Sequence, residues 1–385
     1  MVRSNRLPPL SLYIHFPWCI RKCPYCDFNS HAVKESIPEA EYIEALLRDL
    51  ARDLEYFGLD RAVVSIFMGG GTPSLFSPPM LDRLLAGIRG LVSLAVDCEI
   101  TLEANPGTFE SGKFREFRAL GINRLSIGIQ SFQDRHLQTL GRVHSAAEAI
   151  TAAEIAVAAG FENFNLDLMF GLPGQSEAEA FDDVRLATGL RPAHISFYQL
   201  TLEPNTYFHK FPPRLPDDEV IFAAQKRSQA WLAEHGYSQY EVSAYASTST
   251  ANQCRHNRNY WQFGDYLGIG AGAHGKISQA LPSNIVRTAK PRNPEQYLRE
   301  PWTVSRSRIE LNQLPLEFAM NRLRLRDGFR LSEFEVATGL SGEALAAPLR
   351  NGLVEGLLEL ADGFYRCSAR GWDFLDVLLE KFVPE

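Results

Sequence analysis

The sequence contains no apolar run of the roughly 20 residues that a helix needs to cross a bilayer. Its opening stretch, Met1-Val-Arg-Ser-Asn-Arg-Leu-Pro-Pro, also lacks the apolar segment of a secretion signal. These two absences predict a cytoplasmic protein without a transmembrane segment, for which membrane contact can only be peripheral.

Neither sign of charge dominates, and cysteine is scarce. The sequence has 39 Lys and Arg against 46 Asp and Glu, a net charge of −7, so no basic field attracts nucleic acid and we expect no such partner. Six cysteines in 385 residues are too few for a disulfide scaffold. The scarcity of cysteine fits a reducing compartment.

Up to residue 240, short β-rich runs alternate with amphipathic helical stretches. The predicted strands are Leu12–Phe16, Ala62–Met68, Asp97–Ala104, Arg124–Gln130, Asn163–Met169 and His194–Leu200. This alternation predicts an α/β fold with a parallel sheet. Six βα units are too few for a closed eight-stranded barrel, so we predict an open, partial (β/α)6 barrel of the TIM type. Its functional groups should follow the C-terminal ends of the strands.

We expect three parts in the chain: the partial barrel in 1–240, a connecting region in 241–300 and a small C-terminal domain in 301–385. In the last part, predicted helices precede a two-stranded hairpin, which is typical of a winged-helix-like domain. Residues 306–385 hold ten Lys and Arg against thirteen Asp and Glu, which argues against DNA binding. A lid or docking surface is the better interpretation.

Three cysteines, Cys19, Cys23 and Cys26, follow the first predicted strand at C-x3-C-x2-C spacing. Structural zinc and iron–sulfur clusters usually take four protein ligands. Here Phe28 stands where a further C-x-C step would supply the fourth thiolate. A [4Fe–4S] cluster held by three cysteines keeps one iron open for an outside ligand. An incomplete zinc site and a redox or buried cysteine cluster remain alternatives at this point.

Polar motifs follow the later strands. The turn Gly69-Gly-Gly-Thr-Pro-Ser74 comes after the second strand, and consecutive glycines let the backbone approach a ligand closely. Glu103, Gln130, Arg142 and Asp167 lie at or after the next three strands. Such a set can bind ribose hydroxyls and pair with a carboxylate.

The cysteine spacing, with Tyr25 between the last two cysteines, resembles the radical S-adenosylmethionine (SAM) superfamily. Tyr13-Ile-His-Phe-Pro-Trp-Cys, the glycine turn, Leu-Glu-Ala-Asn-Pro, Gly-Ile-Gln-Ser and Asp-Leu-Met-Phe-Gly-Leu-Pro-Gly resemble the oxygen-independent coproporphyrinogen III oxidase family. The resemblance implies a [4Fe–4S] cluster on the three cysteines, with SAM on its open iron. It also implies a set of SAM-contacting residues: Tyr13, Tyr25, Gly70, Gly71, Thr72, Glu103, Gln130, Arg142 and Asp167.

Within that family, the chain resembles the haem chaperone branch more than the decarboxylating enzymes. The enzymes carry a fourth cysteine and a longer N-terminal arm, whereas this chain has Phe28. The run His-Asn-x-x-Tyr-Trp resembles the haem-binding motif of the branch and implies haem contacts from His256, Tyr260 and Trp261. An imidazole can ligate haem iron, and aromatic rings offer flat apolar surface. Cys254 and His274 are weaker candidate ligands.

The resemblance therefore implies a protein that binds the cluster, SAM and haem and passes haem to an acceptor protein. That acceptor is unidentified, a respiratory protein being one candidate, and a reductant must serve the cluster. We expect no coproporphyrinogen oxidase activity. The alternatives are such an oxidase, which decarboxylates propionates in haem biosynthesis, and a structural zinc-binding module.

Overall fold

A computed structural model describes residues 7–107, 111–247, 249–279 and 284–384. The strands are β1 (Leu10–Phe16), β2 (Trp18–Cys19), β3 (His31–Ala32), β4 (Val63–Gly70), β5 (Leu94–Ala104), β6 (Arg124–Gln130), β7 (Asn163–Phe170), β8 (His194–Gln199), β9 (Tyr237–Glu241), β10 (Ala244–Ser247), β11 (Asp265–Ile269), β12 (His274–Gln279), β13 (Asn284–Ala289), β14 (Ser305–Arg308), β15 (Leu358–Ala361) and β16 (Phe364–Cys367).

The helices are α1 (Glu39–Phe57), α2 (Pro78–Leu91), α3 (Phe114–Ala119), α4 (Asp134–Thr139), α5 (Ala146–Ala158), α6 (Glu177–Gly189), α7 (Tyr207–Lys210), α8 (Asp218–Glu234), α9 (Arg255–Trp261), α10 (Pro294–Arg299), α11 (Leu314–Arg322), α12 (Leu331–Thr338), α13 (Ala346–Val354), α14 (Ala369–Asp373) and α15 (Leu375–Glu380). Capping boxes begin α5 and α6, where Ser145 pairs with Glu148 and Ser176 with Glu179. No helix among these described residues is long and apolar enough to cross a membrane.

Twelve of the described strands form one large sheet with a parallel centre and antiparallel flanks, whereas β2 pairs with β3 and β15 with β16 in two small sheets. The order of the large sheet is β14-β13-β12-β11-β1-β4-β5-β6-β7-β8-β10-β9. Strands β1, β4, β5, β6, β7 and β8 run parallel, and β11 runs parallel to β1. The two edge strands do not pair with each other, so the barrel is open, as predicted. Because the central strands are parallel, their carboxyl ends meet at one edge.

The strands that sequence reasoning missed extend this sheet on both sides. All six predicted strands are present, at nearly the predicted bounds. Strands β9 and β10 add an antiparallel hairpin beside β8, and β12 to β14 add three antiparallel strands beyond β11. The predicted domain boundaries at 240 and 300 stay a prediction, although β9 runs across the first of them.

Two apolar cores account for most of the buried side chains. The larger lies between the sheet and the helices that follow its strands, and includes Leu12, Ile66 and Leu166. The smaller joins the C-terminal helices to the β15–β16 hairpin around Phe318 and Phe334, as a winged-helix-like domain requires. Burial of this kind is the main favourable term in folding.

A buried cluster of charges ties the segment after β13 to α1. The ammonium of Lys290 donates hydrogen bonds to the carboxylates of Asp49 and Asp53, and all three side chains are almost completely buried. The hydroxyl of Tyr297 donates to Asp49 as well. Buried charges of this kind persist only when they are paired, so they fix the relative position of the two segments.

Candidate functional site

The carboxyl ends of the central strands surround a cavity of about 500 Å³. The cysteine loop forms one wall, and α9 with Arg324 forms part of the opposite side. Most residues that the sequence nominated for the cluster and SAM line it: Cys19, Cys23, Cys26, Tyr25, Gly70, Gly71, Thr72, Glu103, Gln130, Arg142 and Asp167. The strands therefore gather these side chains at one place.

The cysteine loop is closed by its own hydrogen bonds. The backbone N–H of Cys26 donates to the carbonyl of Cys23, and the Lys22 ammonium donates to the carbonyls of Phe28 and Ser30 at 3.3 and 3.2 Å. The three thiols are free and half-buried. The loop thus presents all three sulfurs to the cavity without any disulfide between them.

The donor set fits a cluster better than a single ion. Within the described ranges, no three His, Cys, Asp or Glu side chains converge closely enough for one metal ion. A cubane places its irons at separate corners, each bound by one thiolate, so its ligands need not converge on a point. The thiol of Cys19 also contacts Thr72 of the glycine turn, while burial raises its pKa to about 11.

The glycine turn packs directly against the start of the cysteine loop. A Cβ at Gly71 would lie 2.6 Å from the carbonyl oxygens of both Phe16 and Trp18, so no side chain fits there. Gly70 has φ of 103°, a backbone region that favours glycine. Its N–H donates to Oε2 of Glu103 at 3.0 Å. The turn therefore joins the loop to the carboxylate at the end of β5.

Arg142 connects the cysteine loop to the strand ends. Its Nη1 lies 3.8 Å from the sulfur of Cys23, and its Nη2 donates to the Asn105 side chain at 2.7 Å and to the Gly128 carbonyl at 2.8 Å. Asn105 in turn donates to Thr72 at 3.0 Å. Asn105 was not predicted as a site residue from the sequence, although it directly follows β5, which carries Glu103 near its end. It acts as the bridge between the guanidinium and the glycine turn.

Two carboxyl groups that line the cavity, those of Glu103 and Asp167, have raised pKa values. Burial, and next the charge of Asp167, raise the pKa of Glu103 to about 8. Burial also raises the pKa of Asp167, although hydrogen bonds from Asn165, Ser196 and Ser126 oppose the shift. A cationic ligand would favour ionisation of both groups, because an opposite charge nearby stabilises the carboxylate.

Gln130 and Tyr13 show two different outcomes of the SAM prediction. Gln130 ends β6 with φ of 71°, rare for a residue other than glycine, and accepts a hydrogen bond from the Tyr198 hydroxyl at 2.8 Å. Tyr13 does not line the cavity. Its hydroxyl lies instead 3.0 Å from Nδ1 of His15. The role of Tyr13 toward SAM stays a prediction, and Tyr198 joins the site as a residue that sequence reasoning did not find.

Helix α9, which carries the His-Asn-x-x-Tyr-Trp motif, turns two of its residues inward. His256 is 1% exposed, with Nδ1 3.1 Å from the Ser65 hydroxyl and Nε2 2.7 Å from the Tyr260 hydroxyl. Burial, and next the charge of Arg124, lower its pKa to about 3. The imidazole is therefore neutral, and both nitrogens have partners. Haem ligation by His256 stays a prediction that would require one of these contacts to break.

The next face of α9 points into the cavity. Asn257 and Trp261, one helical turn apart, both line it, and the guanidinium of Arg324 lies 4.4 Å from the centroid of the Trp261 ring. Trp261 is thus placed to contact a bound molecule, unlike Tyr260. The spacing of four residues puts each pair on one side of the helix.

Glu99 fixes the beginning of α9 on the sheet. Its carboxylate accepts hydrogen bonds from the N–H groups of Arg255 and His256, each at 3.1 Å. The thiol of Cys254 lies 3.7 Å from the same carboxylate. Burial raises the pKa of Cys254 to about 12, so it is a poor source of thiolate for haem. Cys98 and Cys367 are buried as well.

Comparison with known proteins agrees with this architecture. Residues 13–187 match the model of the radical SAM superfamily, and residues 309–374 match that of the HemN C-terminal domain. The chain is 47% identical to the heme chaperone HemW of Escherichia coli, over 99% of this chain and all of that protein. It is 49% identical to the heme chaperone HemW of Haemophilus influenzae, over 99% of each. The chain belongs to the HemW family.

The family extends to animals. The mitochondrial radical S-adenosyl methionine domain-containing protein 1 of Bos taurus is 34% identical over 96% of this chain and 86% of that protein. Among solved structures, coproporphyrinogen III oxidase (HemN) from E. coli matches 99% of this chain and 91% of its own, with a TM-score of 0.83 and 21% identity. That likeness shows that this chain has the same fold as the oxidase.

Proposed function

We propose that this chain is a haem chaperone of the radical SAM type, which binds haem and transfers it to an acceptor protein. The observation that carries the proposal is its full-length similarity to proteins named heme chaperone HemW. The exposed Phe28 in place of a fourth cysteine supports the same conclusion.

In this proposal the cofactors would occupy the cavity. Cys19, Cys23 and Cys26 would hold a [4Fe–4S] cluster, which in its reduced form can supply an electron to SAM. The remaining cavity residues would bind SAM on the cluster's open side. Glu103 and Asp167 are suited to the hydroxyl and ammonium groups of such a ligand, and Arg142 to its carboxylate.

The proposed partners follow from the same role. A reductant must serve the cluster, and an acceptor, for which we favour a respiratory protein, must take the haem. We place this activity in the cytoplasm, with contact to a membrane only at its surface.

The direct test measures loading and delivery with one anaerobic, cluster-loaded preparation. Titration with iron(III) protoporphyrin IX should give a saturable Soret band at one haem per chain, and an added haem-free acceptor should remove it. Absence of saturable binding by the unaltered chain would reject the proposal.

A coproporphyrinogen III oxidase is the second candidate, because the fold is shared with that enzyme. The same preparation should be incubated with dithionite, SAM and coproporphyrinogen III. We expect no vinyl product, whereas catalytic turnover would establish the enzyme. Iron and labile sulfide without zinc would exclude the structural zinc module.

A further inference from the structure

Gln130, the last residue of β6, lines the cavity from an unusual backbone conformation. The register between β6 and β7 shifts between Ile127 and Gln130, which marks a bulge just before the strand ends. Gln130 itself has φ of 71°, in a region that residues other than glycine rarely adopt. Such a conformation persists only where the surrounding structure holds it.

The two residues that follow Gln130 are bound by one carboxylate of α6. The backbone N–H of Phe132 donates to Oδ1 of Asp183 at 2.8 Å, and the Ser131 hydroxyl donates to Oδ2 at 2.7 Å. Asp183 is 1% exposed, and Ser131 is completely buried. A buried backbone N–H needs an acceptor, so this carboxylate takes the place of a strand partner where β6 ends.

The side-chain amide of Gln130 is oriented on one side and has a donor to spare on the other. Its Oε1 accepts from the Tyr198 hydroxyl at 2.8 Å, whereas its Nε2 forms no hydrogen bond with any residue in the described part of the chain. A Cβ at Gly128 would lie 3.1 Å from this nitrogen and 3.3 Å from Nη2 of Arg142. The glycine in the bulge therefore leaves space for both groups.

We propose that Asp183 is a positioning residue for SAM, which holds the turn that aims the Gln130 amide into the cavity. An amide N–H is suited to an oxygen acceptor, and SAM carries such acceptors in its ribose hydroxyls and its carboxylate. Asp183 does not line the cavity, so its effect on a ligand must pass through Gln130. The inference rests on the proposed binding of SAM in this cavity.

The test is a double-mutant cycle on SAM affinity, measured by anaerobic equilibrium dialysis with the full-length, cluster-loaded chain. Q130A should weaken binding about five-fold, the usual effect of one lost hydrogen bond, and D183A should weaken it by a similar factor. Added to Q130A, D183A should cause no further loss of affinity. Equal losses from D183A with and without the Gln130 amide would show that the carboxylate acts by another route, which would overturn the proposal.

A conservative variant and a measurement without ligand separate this role from a general effect on folding. D183N keeps an oxygen acceptor for the Phe132 N–H and should bind SAM within about two-fold of the unaltered chain. In cofactor-free protein, hydrogen exchange at the Phe132 amide should be slow in the unaltered chain and in D183N, and fast in D183A. Fast exchange at this amide in the unaltered chain would contradict the proposed turn.

Glu39 provides the matched control, since its Oε2 accepts from both the backbone N–H and the hydroxyl of Ser77, at 2.9 and 2.5 Å. Ser77 precedes α2 and does not line the cavity, so E39A should keep the SAM affinity of the unaltered chain. An equal loss of affinity in E39A and D183A would count against a specific role of Asp183.

The outcomes distinguish this inference from the cofactor assignment on which it rests. If the unaltered chain binds SAM and D183A binds it equally well, only the role of Asp183 is rejected. If the unaltered, cluster-loaded chain binds no SAM, both fail. Iron and sulfide contents equal to those of the unaltered chain confirm that each variant keeps its cluster.

Discussion

His256 and His31 occupy opposite kinds of environment in the same molecule. His256 is buried in α9 with both ring nitrogens hydrogen-bonded, whereas the His31 side chain is exposed on β3, beside the cysteine loop. The sequence motif drew attention to the first, because aromatic residues surround it. The buried imidazole supports the position of α9, and any role as a ligand would require one of its hydrogen bonds to break.

The largest expected effect concerns the cysteines of these two regions. C23A should abolish cluster assembly, so that iron, labile sulfide and SAM binding are lost together. C254A removes a thiol that is buried at the beginning of α9 and should keep full iron and sulfide content. Anaerobic reconstitution followed by metal and sulfide analysis measures both. A cluster-free C254A would show that the two regions are one site.

The second test compares the histidines by stability. H256L removes the partner of the Tyr260 hydroxyl and one of the two partners of the buried Ser65 hydroxyl, which keeps its contact with Ser11, and should lower the free energy of unfolding by about 2–4 kcal/mol. H31A should change it by no more than about 0.5 kcal/mol, because the ring is exposed. Urea denaturation measures both variants. Equal losses of unfolding free energy in H256L and H31A would contradict the difference between a buried, hydrogen-bonded imidazole and an exposed one.

The cavity between the two regions should make stability depend on pH through Glu103. Its pKa is about 8 in the folded chain against 4.5 ordinarily, mainly because the carboxyl group is buried. Between these values the folded state holds the extra proton, so the free energy of unfolding should fall as pH rises from about 5 to about 8.

The variant E103Q should remove this part of the pH dependence, so its stability relative to the unaltered chain should increase with pH. Glu295 is exposed, and E295Q serves as the control that keeps the slope. Denaturation at several pH values in cofactor-free chain measures the effect. Parallel curves for E103Q and the unaltered chain would contradict the assignment.

The smallest expected effect concerns the face of α9 that carries Trp261 and points into the cavity. Arg324 stacks over Trp261 and pairs with Glu241 at 3.2 Å. R324Q should cost about 0.5–1 kcal/mol of stability, less than H256L, because both contacts are partly solvated. The control R366Q breaks the exposed pair with Glu359 and should cost less still. A loss of stability larger than that of H256L would show that the Trp261 face, and not the His256 face, holds α9 in place.

The parallel half of the fold was predictable because its signals are local. Each βα unit combines a short apolar strand with an amphipathic helix, and all six strands of these units were predicted at nearly their observed bounds. The strands from β9 to β14 were not found. Strands β11 and β10 join the sheet through β1 and β8, which lie far away in the chain. Polar side chains such as Lys276 in β12 and Arg306 in β14 interrupt the apolar alternation.

The site was predictable where it follows strand ends and unpredictable where it depends on orientation. Parallel topology brought Glu103, Arg142 and Asp167 together, whereas the bridging role of Asn105 depends on side-chain geometry. The division of α9 into two faces could have been predicted from the sequence, since positions 256 and 260 must share one side of a helix. Which side faces the core depends on Glu99 and Ser65, which lie far away in the sequence.

Lys290 is enclosed by the carboxylates of Asp49 and Asp53 in α1. Separation of the segment after β13 from α1 would leave these buried charges without partners, which is costly. The antiparallel flank of the sheet and the first long helix should therefore unfold together rather than one after the other.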